Sequence, residues 1–298
     1  MDRLIDTTEL KRLFADGVNI MEHMRVAGET PANSATAILY SYDLQAGTYT
    51  QALDDPAYVA FKDRRAAVVA DIVDPLGPAT ILDVGTGEAT SLVPLLKHLH
   101  RPRGEVLAFD LSLSRVLFAR RHLAAHGLAA RLFSGSMLHI PLADNSIDVV
   151  LTYHAAEPNG GREHEIVREL LRVTRRRLVM MEPSHELGSP GTKARIERLG
   201  YVRNLTGAIG TLGHRIVRHE LLESWRPDNE TGLIVVDKAP QGEPDLRYRS
   251  PISGSPLELR DGFLYSPIDG FAFPIIEGIP CLNPDNGVLA ARLDAAKD

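Results

Sequence analysis

Asp83, Gly85 and Gly87 stand at two-residue spacing in the stretch TILDVGTGEAT, residues 80–90, and Asp110 closes the next apolar run, EVLAFD. Residue types in this order suit a βαβ unit that holds an adenosine-bearing cofactor. The glycines let the backbone turn tightly and approach a ligand, and the acid ending the second strand accepts hydrogen bonds from ribose hydroxyls. The spacing Asp83-x-Gly85-x-Gly87-x-Ala89 departs from the dinucleotide fingerprint G-x-G-x-x-G. A dinucleotide sets its pyrophosphate on a helix N-terminus, where the Asp83 carboxylate would repel it. The same carboxylate is a good neighbour for the ammonium group of a methionine moiety.

These residues need an open sheet to position them. Apolar runs predict strands near 80–84, 105–110, 130–134, 148–153, 177–182, 214–221 and 232–238, and helical spacing predicts helices over 57–73, 89–99, 112–126 and 161–173. Strands alternating with helices give an α/β fold with helices on both faces. Before this region, residues 1–40 form a helical lead-in, with Leu4, Ile5, Leu10, Leu13 and Phe14 at helical spacings and a break at Pro31, Asn33 and Ser34. Residues 41–239 are the cofactor-binding domain and 240–298 a small β-rich domain, rich in Pro, Gly and aromatics. The stretch 184–212 is longer than a simple crossover, which makes it a candidate substrate lid.

Several further segments fall in register with a known family. Asp83-x-Gly85-x-Gly87 resembles motif I of class I S-adenosylmethionine-dependent methyltransferases, (D/E)-x-G-x-G-x-G, with Ala89 replacing the third glycine. Pro141 to Asp148, PLADNSID, resembles the family phrase P-F-P-D-N-S-F-D, and His154-Ala155-Ala156-Glu157 resembles H-V-L-E-H. The resemblance covers roughly residues 78–183. It implies a seven-stranded Rossmann-like sheet with the last strand antiparallel, and S-adenosylmethionine as cofactor. It also implies that Asp110 binds the ribose, Leu111 stacks on adenine, and Ser136 and Met137 stand where the family carries G-D-A. Tyr153 ends strand four at the same cleft. The segment 40–49, YSYDLQAGTY, is similar to the Y-D-x-x-A-x-x-Y lead-in of ubiquinone-type methyltransferases. Tyr42 and Tyr49 then close the site over the cofactor, or anchor the segment to the domain, or both.

The C-terminal part repeats Ser250-Pro-Ile-Ser253 as Ser266-Pro-Ile-Asp269 and continues as FPIIEGIP. This is similar to the small zinc-ribbon family related to a methyltransferase-activator subunit, whose phrase is C-P-x-C … C-P-x-C … Y-P-I-x-x-G-I-P. Paired C-x-x-C motifs would hold a tetrahedral zinc. Here the four ligand positions are Ser250, Ser253, Ser266 and Asp269, and hydroxyls are poor zinc ligands, so no metal is expected. The ribbon is expected to fold by packing against the larger domain.

The resemblance implies in-line methyl transfer to O, N or C of a small molecule, driven by proximity and orientation. A general base is needed only where the acceptor loses a proton. His154, Glu157 and His185 are the candidates, at the carboxyl ends of strands four and five. His154 and His185 titrate in the useful range, although His154 has an alternative role in ordering its loop. Glu182 is expected to brace the loop beside Pro183. Arginines at 172, 175–177, 195, 198, 203, 215 and 218 could clamp a phosphorylated or carboxylated acceptor, or cover a solvated helix end.

The 298-residue chain is 44% hydrophobic with a formal net charge of −6, which gives no general attraction to nucleic acid. No apolar run approaches a bilayer's thickness. The single cysteine, Cys281, rules out an internal disulfide framework and suits a reducing, cytoplasmic location. Two alternatives stay open: a tRNA or rRNA methyltransferase, and a non-catalytic cofactor-binding or scaffold protein. A homo-oligomer is equally compatible with the sequence.

Overall fold

The computed structural model describes residues 5–28, 30, 32–100 and 104–296. Leu4 and Pro31, named above for the lead-in and its break, lie outside the described residues. The lead-in folds as α1 (Thr7–Ala15), α2 (Ile20–Ala27) and α3 (Ala35–Leu44), followed by the single turn α4 (Thr48–Gln51) and the long α5 (Pro56–Val73). Each of the longer helices starts where a short polar side chain satisfies its first free N–H groups. Asp6 accepts from Thr8 and Glu9, Asn19 from Glu22, Ser34 from Ala37 and Asp55 from Ala57. Pro56 at the first position of α5 loses no hydrogen bond there.

The alternating region follows as β1 (Thr80–Val84), α6 (Leu92–His98), β2 (Glu105–Asp110), α7 (Leu113–Ala125), β3 (Arg131–Gly135), β4 (Ile147–Tyr153), α8 (Glu163–Val173) and β5 (Thr174–Pro183). Then come α9 (Pro190–Leu199), α10 (Leu205–Thr211), β6 (Ile216–Leu221) and β7 (Thr231–Asp237). The strands lie in the order β6-β7-β5-β4-β1-β2-β3. The pairs β1–β2, β2–β3, β1–β4 and β4–β5 are parallel, while β7 runs antiparallel to β5 and to β6. β1, β2 and β4 are buried along almost their whole length because both faces are covered, and apolar residues dominate them despite Asp83, Asp110 and Asp148. Ile81, Val149, Leu151, Val179 and Leu233 face α5, whereas Leu82, Val150, Leu178 and Ile234 face α8 and α10. The chain leaves β1 toward β2 on one side, and β4 flanks β1 on the other. This switch point opens a crevice at the carboxyl ends of β1 and β4, where open α/β sheets bind ligands.

The expected seven-stranded sheet does not end at β3. The C-terminal strands β8 (Glu258–Arg260), β9 (Phe263–Tyr265), β10 (Phe271–Ile276), β11 (Ile279–Leu282) and β12 (Val288–Leu289) extend it to twelve strands. β11 pairs in parallel with β3, placing Cys281 opposite Ser134 and Leu282 opposite Gly135. An open β3 edge carrying the buried Phe133 would template association with other chains, and β11 removes that edge. Packing joins the two regions as well. Phe133 stacks on Phe109 at 4.8 Å and meets the Tyr248 ring at 5.4 Å, and Leu264, Phe273 and Leu282 share one buried cluster with Val84 and Leu107. Among the described residues, no helix is long and apolar enough to cross a membrane.

Candidate active site

The loop after β1 is built for close approach. Gly85 and Gly87 adopt φ of +68° and +57°, the left-handed region that glycine enters without steric strain. A Cβ on Gly85 would lie 2.4 Å from the Ala155 Cβ, and one on Gly87 2.5 Å from an Arg115 nitrogen. Ala89 also has positive φ, +59°, and is fully buried. The third motif position is therefore a backbone-conformation site here as well as a packing site, and alanine holds it at a modest strain. Asp110 ties this loop to the end of β2: one carboxylate oxygen accepts from the Gly87 N–H at 2.9 Å and the other from the Ser112 N–H at 3.0 Å.

Two cavities meet at this loop. The larger, about 440 Å³, is lined by Tyr42, Tyr49, Gly85, Gly87, Tyr153, His154 and Glu157. The smaller, about 70 Å³, is lined by Gly85, Asp110, Leu111, Ser136 and Met137. Tyr42, Gly85, Arg115 and His154 border both. Together they make one elongated space, with Asp110 and Leu111 at one end and the larger chamber past Gly85 at the other. Two buried polar atoms of residues lining the larger cavity, Arg115 Nε and Asn33 Oδ1, have no partner among the described residues, and burying them so costs about 1–3 kcal/mol each.

The lead-in forms the roof. Glu88, inside the glycine loop, is buried and accepts from the N–H groups of Gly47, Tyr49 and Thr50 at 2.9, 3.3 and 2.7 Å, and from the Thr50 hydroxyl at 2.6 Å. It thus holds the start of α4 against the motif. The Arg115 guanidinium lies 5.1 Å from the Tyr42 ring centre and 4.5 Å from that of Tyr49, and the Ser112 hydroxyl bonds Asp43 at 2.6 Å. Burial holds both phenols above their ordinary pKa, so they stay protonated.

Asp83 is buried behind the loop and lines a separate small space with Lys62, Ser91 and Tyr153. Burial pushes its carboxyl up to about 7, with Asp110 adding to the effect and Lys62 opposing it. Burial, helped by Arg65, pushes Lys62 down to about 7, with Asp83 opposing. The Lys62 ammonium bonds the Ser91 hydroxyl at 2.8 Å and lies 4.6 Å from the Tyr153 ring centre. Lys62, Arg65, Glu88 and Arg115 were not among the expected site residues. The sequence does hold one signal for the first two: they sit three apart on the helical stripe of Phe61, Ala66 and Val69, where a charge is out of place.

At the end of β4, His154 has φ of +53° and is held on every side. Its N–H bonds Met181 O at 2.8 Å, Nδ1 meets Glu157 at 2.8 Å, and Nε2 meets the Thr231 hydroxyl at 2.8 Å. Glu182 accepts from the N–H groups of Ala155, Ala156 and Glu157, and burial pushes it up to about 7 against the pull of His154. It braces the turn that aims His154 and Glu157 at the cavity. His185 is not brought there. It pairs with Glu197 at 3.3 Å and lines neither cavity. The first arginine cluster is also spent elsewhere, with Arg172 on Glu169 and Asp144, Arg175 on Asp148 and Arg177 on Asp237.

Residues 81–177, which contain the glycine loop, Asp110 and His154, match the family model described as a methyltransferase domain. No curated protein matches the chain. Solved structures with a similar fold include a SAM-dependent methyltransferase from Aquifex aeolicus, 22% identical over 61% of this chain and 98% of its own, with a TM-score of 0.42. Another is a geranyl diphosphate C-methyltransferase from Streptomyces coelicolor A3(2), 14% identical over 55% of this chain and 74% of its own, with a TM-score of 0.44. The [4+2]-cyclase SpnF is 18% identical over 60% and 81%, with a TM-score of 0.48. With its methyltransferase domain at residues 81–177, the chain is an enzyme that uses S-adenosylmethionine as its cofactor.

Proposed function

We propose that the protein methylates a small-molecule acceptor bound in the larger cavity, beyond Gly85 from the adenosine end. The observation that carries this is the pair of cavities meeting at Gly85, with Asp110 and Leu111 on one side and an aromatic, polar chamber on the other. When bound, S-adenosylmethionine supplies an activated methyl group. Asp110 would hold the ribose, Leu111, Ser136 and Met137 the adenine, and Lys62 beside Ser91 the methionine carboxylate. Tyr42, beside Arg115, and Tyr49, whose backbone Glu88 holds, would exclude water from above. Both ring nitrogens of His154 are engaged, so it would take an acceptor proton through the Thr231 hydroxyl while Glu157 stabilises the imidazolium. His185 has no part in this assignment.

For residues 240–296 the proposed reading is a ribbon whose metal-ligand positions carry Ser250, Ser253, Ser266 and Asp269. The Gly254 N–H bonds Ser250 O and the Gly270 N–H bonds Ser266 O, both at 2.8 Å. The Ser250 N–H bonds Ser255 O and the Ser266 N–H bonds Phe271 O, at 2.8 and 2.9 Å, so the two loops repeat one geometry. Between them, Asp269 accepts from the Ser253 hydroxyl at 2.5 Å. Although burial opposes it, bonds from Ser250 and Ser253 hold this carboxyl below its ordinary range. Hydroxyls bonding one carboxylate support this reading, in which no metal is needed to join the two loops.

Titration calorimetry with S-adenosylhomocysteine tests the function. One equivalent bound per chain is expected; no binding at millimolar ligand would favour a scaffold protein instead.

A further inference from the structure

The larger cavity holds cationic groups that its own carboxylates do not neutralise. Lys62, Arg115, Arg195 and Arg226 line it against Glu22, Glu88 and Glu157. All three carboxylates are committed. Glu88 is used by the α4 backbone, Glu157 bonds His154, and Glu22 faces Arg198 at 3.7 Å. Arg226 is likewise held, gripping Asp228 through two nitrogens at 3.0 and 3.1 Å.

Arg195 differs. It projects from α9, in the long insertion between β5 and β6, and is mostly buried. Its nearest carboxylate oxygen is on Asp228, 3.7 Å from Nη1, and Arg226 already occupies that group. Its Nε is buried with no hydrogen-bond partner among the described residues. The neighbouring Asn229 also has an unpartnered buried oxygen, and its Nδ2 lies 3.5 Å from His154 Nδ1, so this corner adjoins the histidine. Native proteins leave few buried donors unmatched, and a guanidinium fork is best matched by a carboxylate or phosphate. The same cavity also has an apolar wall. Trp225, the chain's sole tryptophan, packs edge-on to Tyr58 at 5.0 Å and against Phe61 at 5.5 Å, yet stays 48% exposed.

We propose that the methyl acceptor is an anion with a flat apolar body, its carboxylate or phosphate on Arg195 and its body against Tyr58, Phe61 and Trp225. This rests on the function proposed above and specifies its substrate class. Arg195 acts as a specificity residue and takes no part in the methyl transfer itself.

The test uses the full chain saturated with S-adenosylhomocysteine, with benzoate, phenyl phosphate and benzyl alcohol as probes in competition calorimetry. At least one of the two anions is expected to bind about tenfold or more tightly than the neutral alcohol. Arg195→Met should abolish that preference while changing S-adenosylhomocysteine affinity by no more than about twofold. Arg195→Lys, which keeps the charge and most of the stem, should retain part of it, so the outcome does not hang on one variant. Whichever anion wins separates carboxylate from phosphate recognition. Equal binding of all three probes, or a preference that survives in Arg195→Met, overturns the anionic acceptor and leaves the methyltransferase assignment standing. Failure to bind S-adenosylhomocysteine overturns both.

Discussion

Asp110 serves the protein before it serves a ligand. Its two oxygens hold the Gly87 and Ser112 N–H groups, and Arg115 stands 3.9 Å away, so the carboxylate proposed to bind a ribose is already fixed in place by the protein. Preorganisation of this kind is what makes a polar contact worth its desolvation. Asp110→Asn is expected to weaken S-adenosylhomocysteine by about ten- to a hundredfold, as losing a charge-assisted hydrogen bond or two implies. Calorimetry measures this directly, and an unchanged affinity would remove Asp110 from the ribose site. The tight turn at Gly85 and Gly87 was legible because a local motif fixes both residue type and backbone conformation there, whereas Asp83, expected beside a methionine moiety, lines a separate small space behind the loop. Glu88 and Lys62 were not legible, because their partners, Gly47 to Thr50 and Asp83, lie far off in sequence. His185 was misplaced for a related reason. Adjacency to strand five says nothing of which way the loop turns, and here it turns toward Glu197.

Among the elements, the two C-terminal loops make the sharpest case. Their hydrogen bonds match, and the Asp269 carboxylate lies between them, which makes the proposed metal-free ribbon directly testable. Changing Ser250→Cys, Ser253→Cys, Ser266→Cys and Asp269→Cys together should create a site that binds one zinc per chain, since four thiolates at these positions complete a tetrahedral set. Elemental analysis of the purified variant reads this. A variant that folds yet takes up no zinc after reconstitution would show that the loops are not a metal-free ribbon. Their repeated spacing was readable because each loop is local. Their attachment was not: the parallel pairing of β11 with β3 joins positions 281 and 134.

Across the whole molecule, three buried groups couple stability to pH. Asp83 and Glu182 are pushed up to about 7 from 3.8 and 4.5, and Lys62 down to about 7 from 10.5, with burial the main cause in each case. Between about pH 4 and 7 the folded state keeps protons on Asp83 and Glu182 that the unfolded chain releases, so these groups make stability fall as pH rises. Above pH 7 the unfolded chain holds a proton that folded Lys62 has lost, so stability recovers toward about pH 10. Urea midpoints of the ligand-free protein should therefore show a shallower acidic fall in Asp83→Asn and a shallower alkaline rise in Lys62→Met than in the parent. Parallel curves for parent and variants would count against these assignments. The same division separates what the chain determined alone from what folding decided. Strand and helix positions, the glycine loop, its acid partner and the cofactor class follow from local pattern, since backbone conformation and binary apolar periodicity act over a few residues. The roof over the cavity, the Lys62–Asp83 pair, the unmatched Arg195 nitrogen and the twelve-stranded sheet exist only once distant segments meet. Burial and desolvation, which set the charge state and hydrogen-bonding needs of those side chains, are properties of the packed molecule.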